Sequence, residues 1–184
     1  MSILFVLGGI RSGKSAFAEQ LAARSGGDSV LYVATGQAWD KEMAERIKNH
    51  QIRRPASWQT REEPLALSDI ATDGINVHTV LLETLSGWVA NLLFTYPEEK
   101  WGCPQAAGEI RERVEQFLKH CASSTRHTWV IVSDEAGLGG VAATPLGRAF
   151  QDLVGDANQL AAALADEVYF VAAGLPLLLK GNKE

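Results

Sequence analysis

The chain has 184 residues, of which 46% are hydrophobic and 21% charged, a length and composition typical of one globular domain with a full core. No stretch reaches the roughly 18 continuous apolar residues of a membrane span, and the first residues lack the basic region of a signal peptide, so we expect a cytoplasmic protein. A formal net charge of −5 argues against a protein that coats nucleic acid. The isolated Cys103 and Cys121 predict neither a zinc site nor a disulfide framework.

The first predicted strand, residues 3–7, runs directly into a glycine-rich segment with the spacing G-x-x-x-x-G-K-S of a P-loop. In such a loop, backbone N–H groups surround phosphate oxygens, the lysine binds the terminal phosphates and the serine hydroxyl reaches Mg²⁺. A helix predicted over residues 14–24 follows, its N-terminus favours bound anions, and this context disfavours a chance glycine-rich turn. We therefore predict a nucleoside triphosphate site with Lys14 as a catalytic residue. The predicted phosphate-binding residues are Gly8, Gly9, Ile10, Arg11, Ser12, Gly13, Lys14 and Ser15.

Further along the chain, short apolar runs alternate with longer helix-compatible stretches. The predicted strands are Val30–Ala34, 80–82, 129–132 and 168–172, and the predicted helices are 40–53, 87–94, 104–121 and 146–164. Strands that alternate with helices indicate an α/β fold in which a mostly parallel sheet is flanked by helices. With the P-loop at its start, this pattern predicts a single P-loop nucleotide-binding catalytic domain over residues 1–184.

A P-loop enzyme commonly carries an acidic residue at the end of a neighbouring buried strand, where it holds Mg²⁺ directly or through water. Glu83 directly follows one predicted strand, and Asp134 with Glu135 follow another. We prefer Glu83, because it comes directly off the apolar run, and we predict that it shares the metal with Ser15. For Asp134 and Glu135, the equal alternative is a solvated loop carboxylate or a helix cap.

The predicted helix over residues 40–53 has an uneven charge pattern, with acids first and bases last, which suits the helix dipole. Arg46 and His50 are four residues apart, as are His50 and Arg54, so one helix face carries a histidine between two guanidiniums. Neighbouring cations keep an imidazole neutral, which leaves a ring nitrogen free to attack phosphorus while the arginines bind phosphate. The pattern therefore offers His50 as a nucleophile, with an ordinary surface histidine as the alternative.

These segments together resemble a known family, the bifunctional adenosylcobinamide kinase / adenosylcobinamide-phosphate guanylyltransferase of cobalamin biosynthesis, over nearly the whole chain. The matching segments include Gly8-Gly-Ile-Arg-Ser-Gly-Lys-Ser15, Tyr32-Val-Ala-Thr35, Arg46-Ile47 with His50, Arg54-Pro55, Leu81-Leu-Glu83, Glu135-x-Gly-x-Gly139 and Leu146-x-Arg148-x-Phe150. Several motifs in the same order make this resemblance far more specific than a P-loop alone.

The resemblance implies a RecA-like P-loop core, assembled as a homotrimer, that catalyses two reactions. A kinase transfers the γ-phosphoryl group of ATP or GTP to adenosylcobinamide, and a transferase then moves GMP from GTP to adenosylcobinamide phosphate through a guanylylated histidine. That histidine falls on His50, and Mg²⁺ would lie between Ser15 and Glu83. The other residues that we expect at the nucleotide are Thr35, Arg46, Arg54 and Glu62.

Two other functions fit the same residues. A P-loop kinase of small metabolites would use Lys14, Ser15 and Glu83 but would give His50 no catalytic role. A non-enzymatic nucleotide-binding module would bind triphosphate without transferring or covalently retaining any part of it. Guanylylation of His50 separates the two-step enzyme from both of these alternatives.

Overall fold

The computed structural model describes residues 2–37, 55–72 and 75–181. The strands in these ranges are β1 (Ile3–Gly8), β2 (Val30–Ala34), β3 (Gln59–Glu62), β4 (Thr79–Glu83), β5 (Thr128–Asp134), β6 (Glu167–Ala172) and β7 (Leu175–Lys180). The α-helices in the same ranges are α1 (Lys14–Gly26), α2 (Leu67–Thr72), α3 (Leu85–Phe94), α4 (Pro104–Ser123) and α5 (Pro145–Leu164). A short 3₁₀ helix, Glu98–Lys100, precedes α4. The helix predicted over residues 40–53 lies outside the described residues.

These strands form one sheet in the order β3-β2-β4-β5-β1-β6-β7. Neighbouring strands are parallel except β6 and β7, which form an antiparallel hairpin. Strand β5 lies between β1 and β4, and the register places Asp134 opposite Gly8 and Glu83 opposite Val132. The carboxyl ends of β1, β4 and β5 therefore meet at one edge of the sheet, which is where open α/β sheets bind ligands.

Helices cover both faces of the sheet. On one face α3, α4 and α5 bury a core in which the ring of Phe117 packs edge-on against Trp88 and Trp129, with ring centroids 5.2 and 5.6 Å apart. On the other face α1 packs Ala18 and Leu21 against the central strands. Burial on both sides explains why the central strands are almost continuously apolar. None of the described helices is long and apolar enough to cross a membrane.

The predicted α/β class and all five predicted strands are confirmed, whereas the sequence pattern does not predict β3 or β7. Strand β3 reads Gln-Thr-Arg-Glu, and β7 contains Pro176, and both lie at the edges of the sheet. An edge strand pairs on one side only, so it tolerates polar residues or a proline that a central strand would not.

Helix α3 begins two residues earlier than predicted. The Thr84 side chain caps it by accepting a hydrogen bond from the Gly87 N–H at 2.9 Å. The cap follows immediately after Glu83, so the carboxyl end of β4 and the first turn of α3 are joined without an intervening loop. This short connection holds the Glu83 side chain at the edge of the sheet.

Candidate active site

The P-loop connects the end of β1 to the start of α1. The Ser12 N–H donates to the Gly9 carbonyl at 3.2 Å, and Gly13 adopts φ +95° immediately before the helix begins at Lys14. A Cβ on Gly8 would lie 2.4 Å from Ser12 Oγ and 2.7 Å from the Val171 carbonyl oxygen, so the turn and the neighbouring strand leave no room for a side chain here. The loop therefore has the compact backbone that phosphate binding needs, and α1 adds the positive end of its dipole.

The turn between β6 and β7 supports this loop from the side. The Gly174 N–H donates to the Ser12 carbonyl at 2.7 Å, and a Cβ on Gly13 would lie 3.0 Å from Gly174 Cα. Both glycines have positive φ, at +95° and +78°. The hairpin formed by the last two strands therefore holds the P-loop in place, although nothing in the local sequence around Gly13 indicates this contact.

Lys14 is buried and ion-paired. Its side chain is 10% exposed, and its Nζ lies 2.7 Å from Asp134 Oδ1 and 3.3 Å from the Gly9 carbonyl. The pairing follows from the sheet register, because Asp134 lies opposite Gly8, the first glycine of the P-loop. A lysine held at this point can reach the terminal phosphates of a nucleotide.

Ser15 bonds the carboxylate at the end of β4. Its hydroxyl donates to Glu83 Oε1 at 2.6 Å. Burial raises the pKa of Glu83 from 4.5 to about 7, the hydrogen bond from Ser15 and the charge of Lys14 oppose this rise, and the charge of Asp134 adds to it. Glu83 therefore lies near the P-loop as predicted, and it gains or loses its proton near neutral pH.

The hydroxyl of Ser15 and the carboxylate of Glu83 fit a magnesium ion. Both supply oxygen donors, which Mg²⁺ prefers, and they lie side by side next to the phosphate-binding loop. Among the described residues no group of three or more His, Cys, Asp or Glu side chains could hold a metal. A site with few protein ligands suits Mg²⁺, which keeps several waters and binds through substrate phosphates.

Ser86 connects the ends of β4 and β5. Its Oγ donates to Asp134 Oδ2 at 2.7 Å, accepts from the Asp134 N–H at 3.1 Å and lies 3.0 Å from Thr84 Oγ1. The Asn158 side chain, from α5, donates to the Asp134 carbonyl at 3.1 Å. These bonds hold the Asp134 carboxylate against Lys14, so neither predicted alternative for Asp134, a solvated carboxylate or a helix cap, describes it.

Thr35 is fully buried behind the site. Its hydroxyl donates to the Thr84 carbonyl at 2.8 Å and accepts from the Thr84 N–H at 2.9 Å, and its carbonyl accepts from Asn91 Nδ2 at 2.8 Å. With its hydroxyl held in this way, Thr35 supports the segment that carries Glu83. The predicted contact of Thr35 with the nucleotide would have to use its backbone.

The other predicted site residues lie further apart. Glu62 is exposed at the end of β3 and is opposite Ala34, which in turn is opposite Glu83 on the other side of β2. Two strand spacings of about 4.8 Å each therefore separate Glu62 from Glu83 along the same edge. His50, Arg46 and Arg54 lie outside the described residues.

Two supporting residues have no clear signal in the sequence. Ser86 occupies the first turn of a helix, where serine is common for other reasons. Gln151, on α5, bonds the loop that follows Asp134 at three points: it accepts from the Ala142 N–H at 2.8 Å and donates to the carbonyls of Ala136 and Gly140 at 2.7 and 2.8 Å. Their roles depend on which segments the fold brings together.

Fold and site together define the class of protein. A P-loop follows a central parallel strand, and its serine bonds a carboxylate from the next strand but one, which is the arrangement of a RecA-like P-loop NTPase fold. Among solved structures the fold is similar to a prototypical ATPase from the type III secretion system of pathogenic bacteria, with a TM-score of 0.57 and 9% identity. That match covers 96% of this chain and 56% of the ATPase chain.

The particular family follows from closer relatives. The family model described as cobinamide kinase / cobinamide phosphate guanyltransferase matches residues 4–179. The chain is 41% identical to the bifunctional adenosylcobalamin biosynthesis protein CobP of Pseudomonas aeruginosa, over 96% of each chain. It is 37% identical to the bifunctional adenosylcobalamin biosynthesis protein CobU of Escherichia coli, over 97% of this chain and 99% of that protein. The chain therefore belongs to the cobinamide kinase / cobinamide phosphate guanyltransferase family, and the resemblance in its motifs is confirmed.

Proposed function

We propose that the chain is a bifunctional enzyme of adenosylcobalamin biosynthesis that phosphorylates adenosylcobinamide and then guanylylates the product. The observation that carries the proposal is the P-loop corner, where Lys14 and Ser15 are held by two carboxylates at adjacent strand ends. Membership of the family indicates that the phosphoryl acceptor is a cobinamide. One cradle for a triphosphate serves both reactions, because each begins with a nucleoside triphosphate bound through its phosphates.

In the kinase reaction the acceptor hydroxyl oxygen attacks the γ-phosphorus of ATP or GTP. The new O–P bond forms as the bond from the γ-phosphorus to the bridging oxygen breaks, the nucleoside diphosphate leaves, and the hydroxyl proton is released to solvent. Lys14 offsets charge on the terminal phosphates, while Ser15 and Glu83 are the residues that would hold Mg²⁺. When bound, Mg²⁺ supplies positive charge to the phosphate oxygens. The P-loop backbone and α1 orient the triphosphate for this displacement.

In the transferase reaction a ring nitrogen of His50 attacks the α-phosphorus of GTP and pyrophosphate leaves. A phosphate oxygen of adenosylcobinamide phosphate then attacks the same phosphorus, the P–N bond breaks, and adenosylcobinamide-GDP is released. The spacing of Arg46, His50 and Arg54 supports this role, because two guanidiniums at helical spacing on either side of the imidazole would neutralise the phosphates.

The assembly and extent of the enzyme are part of the same proposal. One sheet contains strands from both ends of the described chain, which supports a single catalytic domain over residues 1–184. The family resemblance implies a homotrimer. Light scattering coupled to gel filtration would test this by measuring the molar mass in solution. The use of ATP and GTP supports the predicted cytoplasmic location, where these nucleotides are made.

The covalent intermediate gives the sharpest test. The purified protein is mixed with Mg²⁺ and GTP labelled at the α-phosphate, and the label is followed on a denaturing gel after treatment with acid or base. We expect label that is lost in acid and stable in base, absent in His50→Ala and present in the matched control His120→Ala. A phosphoramidate has this stability pattern, and His120 lies on α4 at an exposed position.

Other outcomes favour the alternatives. A protein that phosphorylates adenosylcobinamide without taking up label would be a P-loop kinase. A protein that binds triphosphate but neither takes up label nor phosphorylates would be a binding module. Label that persists in His50→Ala would disprove the assigned nucleophile while leaving the transferase in place.

A further inference from the structure

The Lys14 ammonium group can donate only a limited number of hydrogen bonds to a phosphate. An ammonium group has three N–H donors, and here Lys14 Nζ donates one to Asp134 Oδ1 at 2.7 Å and another to the Gly9 carbonyl at 3.3 Å. A P-loop lysine that bridges the β- and γ-phosphates needs at least two of these donors. With both of these contacts made only one donor remains, so the terminal phosphates compete with the Asp134 carboxylate and the Gly9 carbonyl for Lys14.

Hydrogen bonds also fix the position of the Asp134 carboxylate and backbone. One carboxylate oxygen accepts from Ser86 Oγ at 2.7 Å, the Asp134 N–H donates to the same hydroxyl, and its carbonyl accepts from Asn158. The backbone at this position belongs to β5 and is paired with β1 at Gly8. The negative charge of the carboxylate thus remains beside the phosphate cradle even when Lys14 turns toward a ligand.

We propose that Asp134 is an affinity-determining residue, an internal anion that competes with the terminal phosphates of the nucleotide for Lys14. Its presence weakens the binding of nucleoside triphosphates, both by engaging the ammonium group and by repelling the phosphates. This inference rests on the proposed use of triphosphates but requires neither transfer reaction. It makes a counter-intuitive prediction, because the loss of an active-site carboxylate improves binding.

The expected size follows from the strength of such pairs. A tenfold change in Kd corresponds to about 1.4 kcal/mol, and an exposed ion pair typically changes Kd by less than this. Lys14 is buried and Asp134 about one-third exposed, so salt screens this pair less than it screens a surface pair. We expect Asp134→Asn to lower the Kd for a guanosine triphosphate by about three- to tenfold.

The experiment is isothermal titration of the full-length protein, with Mg²⁺, using guanosine 5′-(α,β-methylene)triphosphate, from which GMP cannot be transferred. GMP is titrated in parallel, because it has no β- or γ-phosphate for Lys14 to bind. Asp134→Asn should lower the Kd for the triphosphate analogue and leave the Kd for GMP unchanged. Asp134→Glu, which keeps the charge, should give no gain, and neither should Asp156→Asn, which makes the same acid-to-amide change in an ion pair with Arg111 on the surface.

Several outcomes would overturn the proposal. Unchanged or weaker binding of the analogue by Asp134→Asn would show that the carboxylate does not compete, and equal tightening of GMP would point to a general change in the site. If the Asn variant does not fold, as judged by thermal unfolding, Asp134→Ser removes the same charge and faces the same criteria. Tighter binding by a protein whose His50 takes up no label would keep this inference and reject the transferase.

Discussion

The ends of β4 and β5 lie side by side at one edge of the sheet, and each presents a carboxylate to the P-loop, but the two carboxylates have different partners. Glu83, on β4, accepts from the Ser15 hydroxyl, and burial moves its pKa to about 7. Asp134, on β5, pairs with the ammonium of Lys14. Two consecutive residues of α1 thus each meet an acid from a different strand.

The difference separates two tasks that a nucleotide site must perform. Successive residues of a helix point about 100° apart, so Lys14 and Ser15 cannot face the same strand end. The Ser15 hydroxyl and the Glu83 carboxyl, which ionises near pH 7, supply oxygen donors suited to a metal, whereas Lys14 and Asp134 form an ion pair suited to the control of phosphate binding. Ser86 and Thr84 connect the two through their hydroxyls.

The largest expected effect comes from removing the cation that both reactions share. Lys14→Ala should lower kinase and guanylyl-transfer rates by about 1,000-fold or more, because charge on the phosphates is then unopposed and Asp134 has lost its counter-ion. Both rates are measured on the same preparation. Lys119→Ala, at an exposed helical pair with Glu115, serves as the control and should keep full activity. Loss of only one of the two activities in Lys14→Ala would mean that the reactions do not share the cradle.

A smaller effect should follow from changing the other carboxylate. Glu83→Gln should lower both rates by about 100-fold and raise the Mg²⁺ concentration needed for half-maximal rate, because the amide has lost the charge that holds the metal. At low Mg²⁺ the wild-type rate should rise with pH through about 7, as Glu83 loses its proton, and the variant should lack this rise. Glu115→Gln is the matched surface control and should keep the rise. If Glu83→Gln also keeps the rise, the group that titrates near pH 7 is not Glu83.

The raised pKa of Glu83 also predicts how stability depends on pH. Between pH 4.5 and about 7 the folded protein binds a proton that the unfolded chain has released, so the free energy of unfolding falls as pH rises through this window. The loss in metal-free buffer should be on the order of 2–3 kcal/mol and absent in Glu83→Gln. Chemical unfolding at pH 5 and pH 8 measures it. Equal pH dependence in the wild type and the variant would contradict the prediction.

The smallest effect concerns the residue that joins the two strand ends. Ser86→Ala removes the hydroxyl that bonds both the carboxylate and the N–H of Asp134, and should cost about 1–3 kcal/mol of unfolding free energy. Ser123→Ala, an exposed serine at the end of α4, should stay within about 0.5 kcal/mol of wild type. A cost for Ser86→Ala no larger than that of the control would show that Asp134 does not depend on this bond.

The sequence by itself determined those features that depend on neighbouring residues. The P-loop is one contiguous segment whose spacing carries its chemistry, so its position, the flanking strand and the helix were all predictable. The central strands and the α/β class were predictable because burial on both faces of a parallel sheet demands continuous apolar runs. The position of Glu83 at the end of a buried strand was predictable because it directly follows such a run.

Only the tertiary structure decided the features that depend on strand order. The partner of Lys14, the bridge through Ser86, the burial of Thr35 and the contact of Gly174 with the P-loop all join segments that are distant in the sequence. Edge strands β3 and β7 escaped prediction because pairing on one side leaves their composition unconstrained. Local spacing specifies which face a residue takes within its own element, but packing of the whole sheet specifies which strand ends become neighbours, and that choice assigned each carboxylate its partner.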